Sequence, residues 1–108
     1  MALSRSFKET VKARAERDPE YRVALLGEAV EAFAAGDAPI GKALMRDYIN
    51  ATVGFERLGE AVDMDPKNLM RMFGPRGNPR LTNLSTVLRE LSRREAIHFK
   101  VEPDRLAG

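Results

Sequence analysis

The chain has 108 residues, enough for one compact domain and too few for two. Hydrophobic residues make up 44% and charged residues 31%, an ordinary balance for a globular protein, and without Trp its core must be mainly aliphatic. No apolar run approaches the ~20 residues that a membrane span needs, and no apolar leader is visible, so we expect a cytoplasmic protein. Cys is absent, which excludes disulfides, thiolate catalysis and Cys-ligated metals.

Charge is distributed unevenly along the chain. Residues 1–65 hold nine basic and twelve acidic side chains, for a net charge of −3, and residues 95–108 have a net charge of −1. Residues 66–94 hold seven basic side chains against Glu90 alone, for a net charge of +6. Such a stretch in an otherwise mildly acidic chain is typical of a surface that faces a polyanion. A solvated cationic face would have the same composition, so both interpretations stay open.

The first third of the chain predicts two helices. The first runs from about Ser6 to Arg17, where Ser6 and Glu9 form a capping-box pattern. An Asp-Pro pair at residues 18–19 ends it and opens the second helix, because Asp is a favoured N-cap and Pro a favoured first helical residue. Gly36 is the expected residue after the second helix. The predicted buried stripe of this helix consists of Leu26, Val30 and Phe33.

Three further helices are predicted by the same signals. Asp and Pro within residues 37–39 open a third helix, which closes at residues 52–54. A short fourth helix covers residues 55–62, and a second Asp-Pro pair at residues 65–66 opens a fifth helix that reaches about Phe73. The predicted buried stripe of the third helix consists of Ile40, Leu44, Tyr48 and Ala51.

The last part of the chain predicts a loop, a sixth helix and a strand. Residues 74–79 are rich in Gly and Pro and cannot form regular structure. Residues 97–102 alternate apolar and polar side chains, which predicts a β-strand. An isolated strand needs a backbone partner, so it pairs with a copy of itself or with another protein, or it is merely an extended tail. The sixth helix is marked by Leu84, Val87, Leu88 and Leu91.

Residues 55–73 are a candidate helix-turn-helix, because two short helices are joined there by three residues. Gly59 supplies the small residue needed where the helices cross closely. Lys67, Asn68 and Arg71 remain on the outer face of the second helix, where Lys and Arg can contact guanine or phosphate and Asn can pair with adenine. An ordinary pair of packed surface helices would show similar spacing. The predicted inward side chains are Leu58, Val62, Met64, Leu69 and Met72.

The segment 55–73, the Gly-Asn-Pro loop at residues 77–79 and the helix at residues 84–91 resemble a known family. They look like the XRE-type helix-turn-helix proteins with the lambda-repressor-like fold. More narrowly, they resemble the probable addiction module antidotes of bacterial toxin–antitoxin operons, the HigA-like antitoxins. The resemblance covers roughly residues 37–101 and is most specific at Leu-Met-Arg, residues 69–71, together with the Gly-Asn-Pro loop.

The resemblance implies an all-α, lambda-repressor-like domain at residues 37–95, followed by a short strand and tail at residues 96–108. Residues 1–36 are then a helical extension that either caps the core or forms a partner surface. Two positions depart from the family pattern. Asp63 stands where the turn usually has Gly, and Asp tolerates a left-handed backbone better than most residues. Gly59 replaces the commoner Ala, which keeps the close approach at some cost in helix propensity.

The function implied by the resemblance is that of a cytoplasmic DNA-binding regulator. It would bind a palindromic operator as a homodimer, often at its own promoter, with no cofactor and no metal. In the antitoxin version it would also neutralise a small RelE-like endonuclease. The fifth helix would enter the major groove, while the start of the fourth helix and the loop after the fifth would bind phosphates. The expected DNA-binding residues are Thr52, Arg57, Lys67, Asn68, Arg71, Arg76, Asn78 and Arg80.

Three other functions compete with an antitoxin. One is a stand-alone repressor without a toxin, which the sequence barely distinguishes. Another is a helical interaction module that does not bind DNA, against which the local charge of +6 argues. An enzyme is the least favoured, since His98 is the sole histidine, the pair Glu56 and Glu60 is typical of an exposed helix face, and no metal cluster or nucleophile–base pair is visible.

Overall fold

A computed structural model describes residues 5–107, with side chains described from Lys8 onward, and it contains six α-helices and no β-strand within those residues. The all-α prediction is therefore confirmed. We number the helices in chain order: α1 (Arg5–Arg17), α2 (Pro19–Ala34), α3 (Ala38–Ala51), α4 (Phe55–Val62), α5 (Pro66–Met72) and α6 (Leu81–Glu95).

Three helices begin at the Asp residues that the sequence indicated. The side chains of Asp18, Asp37 and Asp65 each accept a hydrogen bond from a backbone N–H two or three residues further on, at 3.1, 3.3 and 2.9 Å. In each case a Pro occupies one of the first two helical positions. These caps satisfy N–H groups that the helix itself cannot satisfy, so local chemistry alone fixes the starts of α2, α3 and α5.

Two details of the predicted helices are wrong. Ser6 is not an N-cap, because α1 already includes Arg5; its side chain lies outside the described residues. Ile40 is 52% exposed and does not belong to the buried stripe of α3. The face of α3 is turned toward Gly41 instead, where an added Cβ would lie 2.6 Å from the Phe33 ring. This contact leaves Ile40 beside the interface and not in it.

One hydrophobic core joins α2 to the four helices that follow it. Leu26 and Ala29 of α2 are fully buried against side chains of α3 and the later helices. The second helix thus belongs to the same core as residues 37–95 and supports α3 from behind. The buried members of the core are Leu26, Ala29, Met45, Tyr48, Ile49, Phe55, Leu58, Leu69, Phe73, Val87 and Leu91.

A polar network ties the N-terminal helices to the end of α6. Arg22 donates from Nε to both carboxylate oxygens of Glu95 at 3.1 Å and from Nη1 to the carbonyl of Ala15 at 2.7 Å. The Tyr48 hydroxyl donates to the same carboxylate. Burial, reinforced by the bond to Glu95, raises the pKa of Tyr48, so the phenol remains a donor. The network therefore connects α1, α2, α3 and α6.

The predicted C-terminal strand does not form. Residues 97–107 form neither helix nor strand, and no segment within residues 5–107 forms a sheet with them. Phe99 packs against the core, whereas His98 and Lys100 are exposed. Val101 is 83% exposed, so only part of the alternation corresponds to burial, and the packing of Phe99 needs no hydrogen-bonded neighbour.

The end of α6 offers a test of backbone strain. Ala96 has φ 57°, a left-handed conformation that costs a residue with a Cβ roughly 1–2 kcal/mol. We expect Ala96→Gly to raise the free energy of unfolding by about 1 kcal/mol, as measured by urea denaturation. Ala35→Gly is the matched control, because Ala35 ends α2 at φ −81°. The control should lose stability, and a loss in both variants would contradict the strain at Ala96.

Candidate nucleic-acid interface

The helices α4 and α5 approach each other closely at Gly59. A Cβ at this position would lie 2.6 Å from the carbonyl oxygen of Met64 and 3.3 Å from the ring of Pro66. The backbone N–H of Met64 donates to the carbonyl of Gly59 at 2.9 Å, which closes the turn. Asp63 adopts φ 56° and ψ 50°, the left-handed conformation expected of the residue that replaces Gly there. The start of α5 thus rests directly on α4.

The helix pair has the inward and outward faces that the sequence predicted. Leu58 and Leu69 are fully buried. The other three predicted inward side chains, those of Val62, Met64 and Met72, are half-buried and pack against the core. On the outer face of α5 the exposed side chains are Lys67, Asn68, Met70 and Arg71. The structure thus brings the three predicted base-contacting residues together and adds Met70, which was not among the residues predicted from the sequence.

The loop after α5 folds back on the end of that helix. A Cβ at Gly77 would lie 2.0 Å from the carbonyl oxygen of Arg71 and 2.4 Å from that of Met72, so only glycine fits. The N–H of Gly77 donates to the carbonyl of Gly74 at 3.0 Å, which makes the turn compact. The Gly of the Gly-Asn-Pro sequence therefore holds the loop against α5.

Two cations of α3 hold this loop in place through hydrogen bonds to its backbone carbonyls. Lys42 is only 9% exposed, and its Nζ donates to the carbonyls of Gly77 at 2.6 Å and Pro75 at 3.4 Å. Arg46, one turn further along α3, donates from Nη1 to the carbonyl of Phe73 at 2.9 Å. The Arg46 bond satisfies a carbonyl at the C-terminal end of α5, where positive charge also complements the helix dipole, and the Lys42 bonds satisfy carbonyls of the loop. Neither cation was predicted from the sequence, because nothing local in α3 indicates a contact with residues about thirty positions away.

The other predicted contact residues lie at several places around α5. Arg57 is exposed on α4, and Arg76, Asn78 and Arg80 are exposed along the loop. Thr52 follows α3, and its hydroxyl donates to the carbonyl of Tyr48 at 2.8 Å. Its backbone N–H donates to the carbonyl of Ile49 at 3.3 Å, so both the hydroxyl proton and the amide proton of Thr52 are already engaged within the chain and neither is free for a phosphate.

The cations of residues 66–94 differ in whether they are neutralised. Arg93 and Arg94 each bind Glu90 at 2.8 Å. The hydrogen bond from Arg93, supported by Arg94, holds the pKa of Glu90 below its usual range, so this carboxylate stays charged. The side chains of five cations form neither an ion pair nor a hydrogen bond with any residue in the described part of the chain. They are Lys67, Arg71, Arg76, Arg80 and Arg89.

The surface around the turn between α4 and α5 is acidic. Glu56, Glu60, Asp63 and Asp65 line a shallow groove between α4 and the start of α5. These carboxylates would repel a polyanion, so the electrostatically favourable approach to α5 is from the side of Arg71 and the loop. Among residues 5–107, no group of three or more His, Asp or Glu side chains is arranged to hold a metal ion.

Comparison of the chain with protein-family models, with curated proteins and with solved structures gives no match. None of the helices in the described region is both long and apolar enough to cross a membrane.

The close approach at Gly59 can be tested by adding one methyl group. We expect Gly59→Ala to lower the free energy of unfolding by about 1–3 kcal/mol, because the backbone of Met64 would have to move. The control is Gly27→Ala in α2, where a Cβ would meet nothing within 4 Å and the better helix propensity of Ala should add up to ~1 kcal/mol. Equal effects of the two substitutions in thermal or urea unfolding would show that the helices are not in tight contact.

Proposed function

We propose that this protein is a sequence-specific DNA-binding regulator in which α4 and α5 act as a helix-turn-helix. The single observation that carries the proposal is the outer face of α5. Lys67, Asn68 and Arg71 are exposed together there, and the two cations make no ion pair in the described chain. Arg and Lys bind guanine edges or phosphates, and the Asn amide can bond the edge of adenine. In this proposal α5 lies in the major groove.

The loop and α4 supply the non-specific part of the proposed interface. Arg76, Asn78 and Arg80 are exposed on a loop that Lys42 and Arg46 hold in place, so they can bind phosphates without a large loss of conformational freedom. Arg57, exposed in the first turn of α4, would contribute a side-chain contact to the DNA backbone, whereas both donors of Thr52 are engaged within the chain. Phosphate contacts would provide affinity, and α5 would provide selectivity.

A single copy reads little DNA. The seven residues of α5 span only about 10 Å, so one helix reaches only a few base pairs. We therefore propose that the protein binds a palindromic site as a homodimer. The exposed C-terminal segment is the part of the chain available for contact with a second copy or with another protein, because its backbone makes no hydrogen bond beyond Ile97 among the described residues.

The antitoxin role is the finer part of the proposal and rests on the motif resemblance. In that version the protein represses its own operon and also binds a small RelE-like toxin. A stand-alone repressor would use the same DNA-binding surface. A helical module that binds only proteins is less well supported, since it would leave five uncompensated cations without an anionic partner.

DNA binding is tested by replacing Arg71. We expect Arg71→Ala to weaken binding to a duplex selected by the wild-type protein by about 1–3 kcal/mol, because a contact with a base edge is lost. The readout is fluorescence anisotropy at several salt concentrations. The wild-type protein should show a steep fall in affinity with salt, since each neutralised phosphate releases counterions.

The matched control for that experiment is Arg17→Ala, which removes the same charge from an exposed position on α1. It should leave affinity and salt dependence nearly unchanged. Equal losses in both variants would mean that only net charge matters. Absence of salt-dependent binding by the wild-type protein would refute the proposed function.

The antitoxin version is tested by co-expression with the adjacent genes. We expect a small basic protein encoded next to this one to co-purify in a stable complex and to arrest growth when it is expressed alone. Co-purification of a neighbouring gene product that does not arrest growth would contradict the antitoxin role. The role would also be contradicted if this protein binds DNA but purifies without any partner. The latter outcome would establish the stand-alone repressor.

A further inference from the structure

The outer face of α5 carries one apolar side chain. Met70 is 46% exposed, although the neighbouring Leu69 is completely buried. The other exposed side chains of α5 are two cations and an amide, those of Lys67, Arg71 and Asn68. Single exposed apolar residues are common on protein surfaces, so exposure alone means little. What makes Met70 informative is its place among the side chains proposed to meet DNA.

The helical geometry places Met70 at one edge of this face. With about 100° between successive residues, the order around α5 is Met70, Lys67, Arg71, Asn68, in steps of about 60°, 40° and 60°. The two cations therefore form the centre of the face, while Met70 and Asn68 flank them on opposite sides. When the cations face the floor of a groove, the flanking side chains lie about 80° to either side, and a long, flexible side chain such as that of Met can bend from there to a base edge.

The major groove offers one apolar group on its base edges. Guanine, cytosine and adenine present hydrogen-bonding groups there, whereas thymine also presents its C5-methyl group. A Met side chain is flexible and polarisable and fits such a group closely. Contact would remove the Met70 side chain and the thymine methyl group from water together. A polar side chain at the same place would gain nothing from covering the methyl group.

We propose that Met70 is a specificity-determining residue that recognises a thymine through its C5-methyl group. This inference rests on the proposed DNA binding and adds to it the base that the apolar edge of α5 selects. Met70 then favours an A·T pair at one position of each half-site, beside the pairs read by Lys67 and Arg71. The contact disfavours cytosine at that position because cytosine has no methyl group.

The test uses a duplex that the full-length wild-type chain selects from a random-sequence pool. Each thymine of that duplex is replaced in turn by deoxyuridine, which removes the methyl group and leaves the hydrogen-bonding pattern unchanged. We expect one thymine position, present once in each half-site, at which deoxyuridine weakens binding of the wild-type protein about fourfold. This factor corresponds to the burial of one methyl group. Affinity is measured by fluorescence anisotropy at constant salt.

Three variants show whether Met70 senses the methyl group. Met70→Gln keeps the length of the side chain but ends in a polar amide, so it should bind the thymine and deoxyuridine duplexes equally. Met70→Leu keeps an apolar side chain and should retain the discrimination. Lys67→Gln should bind both duplexes more weakly and still discriminate about fourfold between them. Because Met70 is exposed, thermal unfolding should be unchanged in its two variants.

The outcomes separate this inference from the proposed function. Wild-type binding that is insensitive to every methyl group overturns the role of Met70 and leaves DNA binding intact. Full discrimination in Met70→Gln overturns it as well, because another residue would then sense the methyl group. If the wild-type protein enriches no sequence and shows no salt-dependent binding, the proposed function itself fails, and the inference fails with it.

Discussion

The surface around α5 depends on one close contact, the approach of the α4–α5 turn to Gly59. The carbonyl oxygen of Met64 lies 2.6 Å from where a Cβ at residue 59 would be, and the left-handed conformation of Asp63 precedes it in the turn. The Asp65 cap fixes where α5 starts, and the contact at Gly59 sets how closely and in which orientation α5 lies against α4. This orientation in turn buries Leu69 and leaves Lys67 and Arg71 outside. A methyl group's width of space at one position therefore determines which side chains the fold presents.

Cations on this part of the molecule have two distinct roles, which burial and partners distinguish. Lys42 and Arg46 donate hydrogen bonds to backbone carbonyls at the end of α5 and in the loop. Arg93 and Arg94 form ion pairs with Glu90. The net charge of +6 counted in residues 66–94 includes the second pair and omits the first. Within this stretch, the cations that remain available to a polyanion are those of α5, the loop and the middle of α6. Arg71 and Arg76 line one shallow groove between α5 and the loop. Charge counted along the chain located this region, but only the pairing shows which cations are uncompensated.

The sequence predicted what local chemistry decides and failed where distant contacts decide. Asp18, Asp37 and Asp65 start helices because each side chain bonds an N–H two or three residues away. The left-handed Asp63 and the small Gly59 were likewise readable from the turn itself. The strand at residues 97–102 was not, because alternation gives a pattern of burial and says nothing about whether a partner strand exists. The predicted burial of Ile40 was wrong because the orientation of α3 depends on the Phe33 ring packing against Gly41, a contact between two helices. The outward position of Met70 follows from that of Lys67 by helical spacing, but a search for hydrogen-bonding side chains passes over an apolar one.

The third helix connects the two ends of the molecule. Lys42 and Arg46 hold the loop beside α5, whereas Tyr48, closer to the C-terminal end of α3, donates to the carboxylate that also binds Arg22 of α2. A helix is stiff over this length, so the loop and the Arg22–Glu95 network are positioned by the same rigid element. The N-terminal helices thus act on the α5 surface through α3, although none of their side chains is proposed to touch DNA. Removal of α2 would expose Met45 and Ile49 of α3, which are completely buried, and would free the helix whose cations fix the loop. The part of the chain that the motif resemblance leaves out is therefore needed to hold in place the part that it covers.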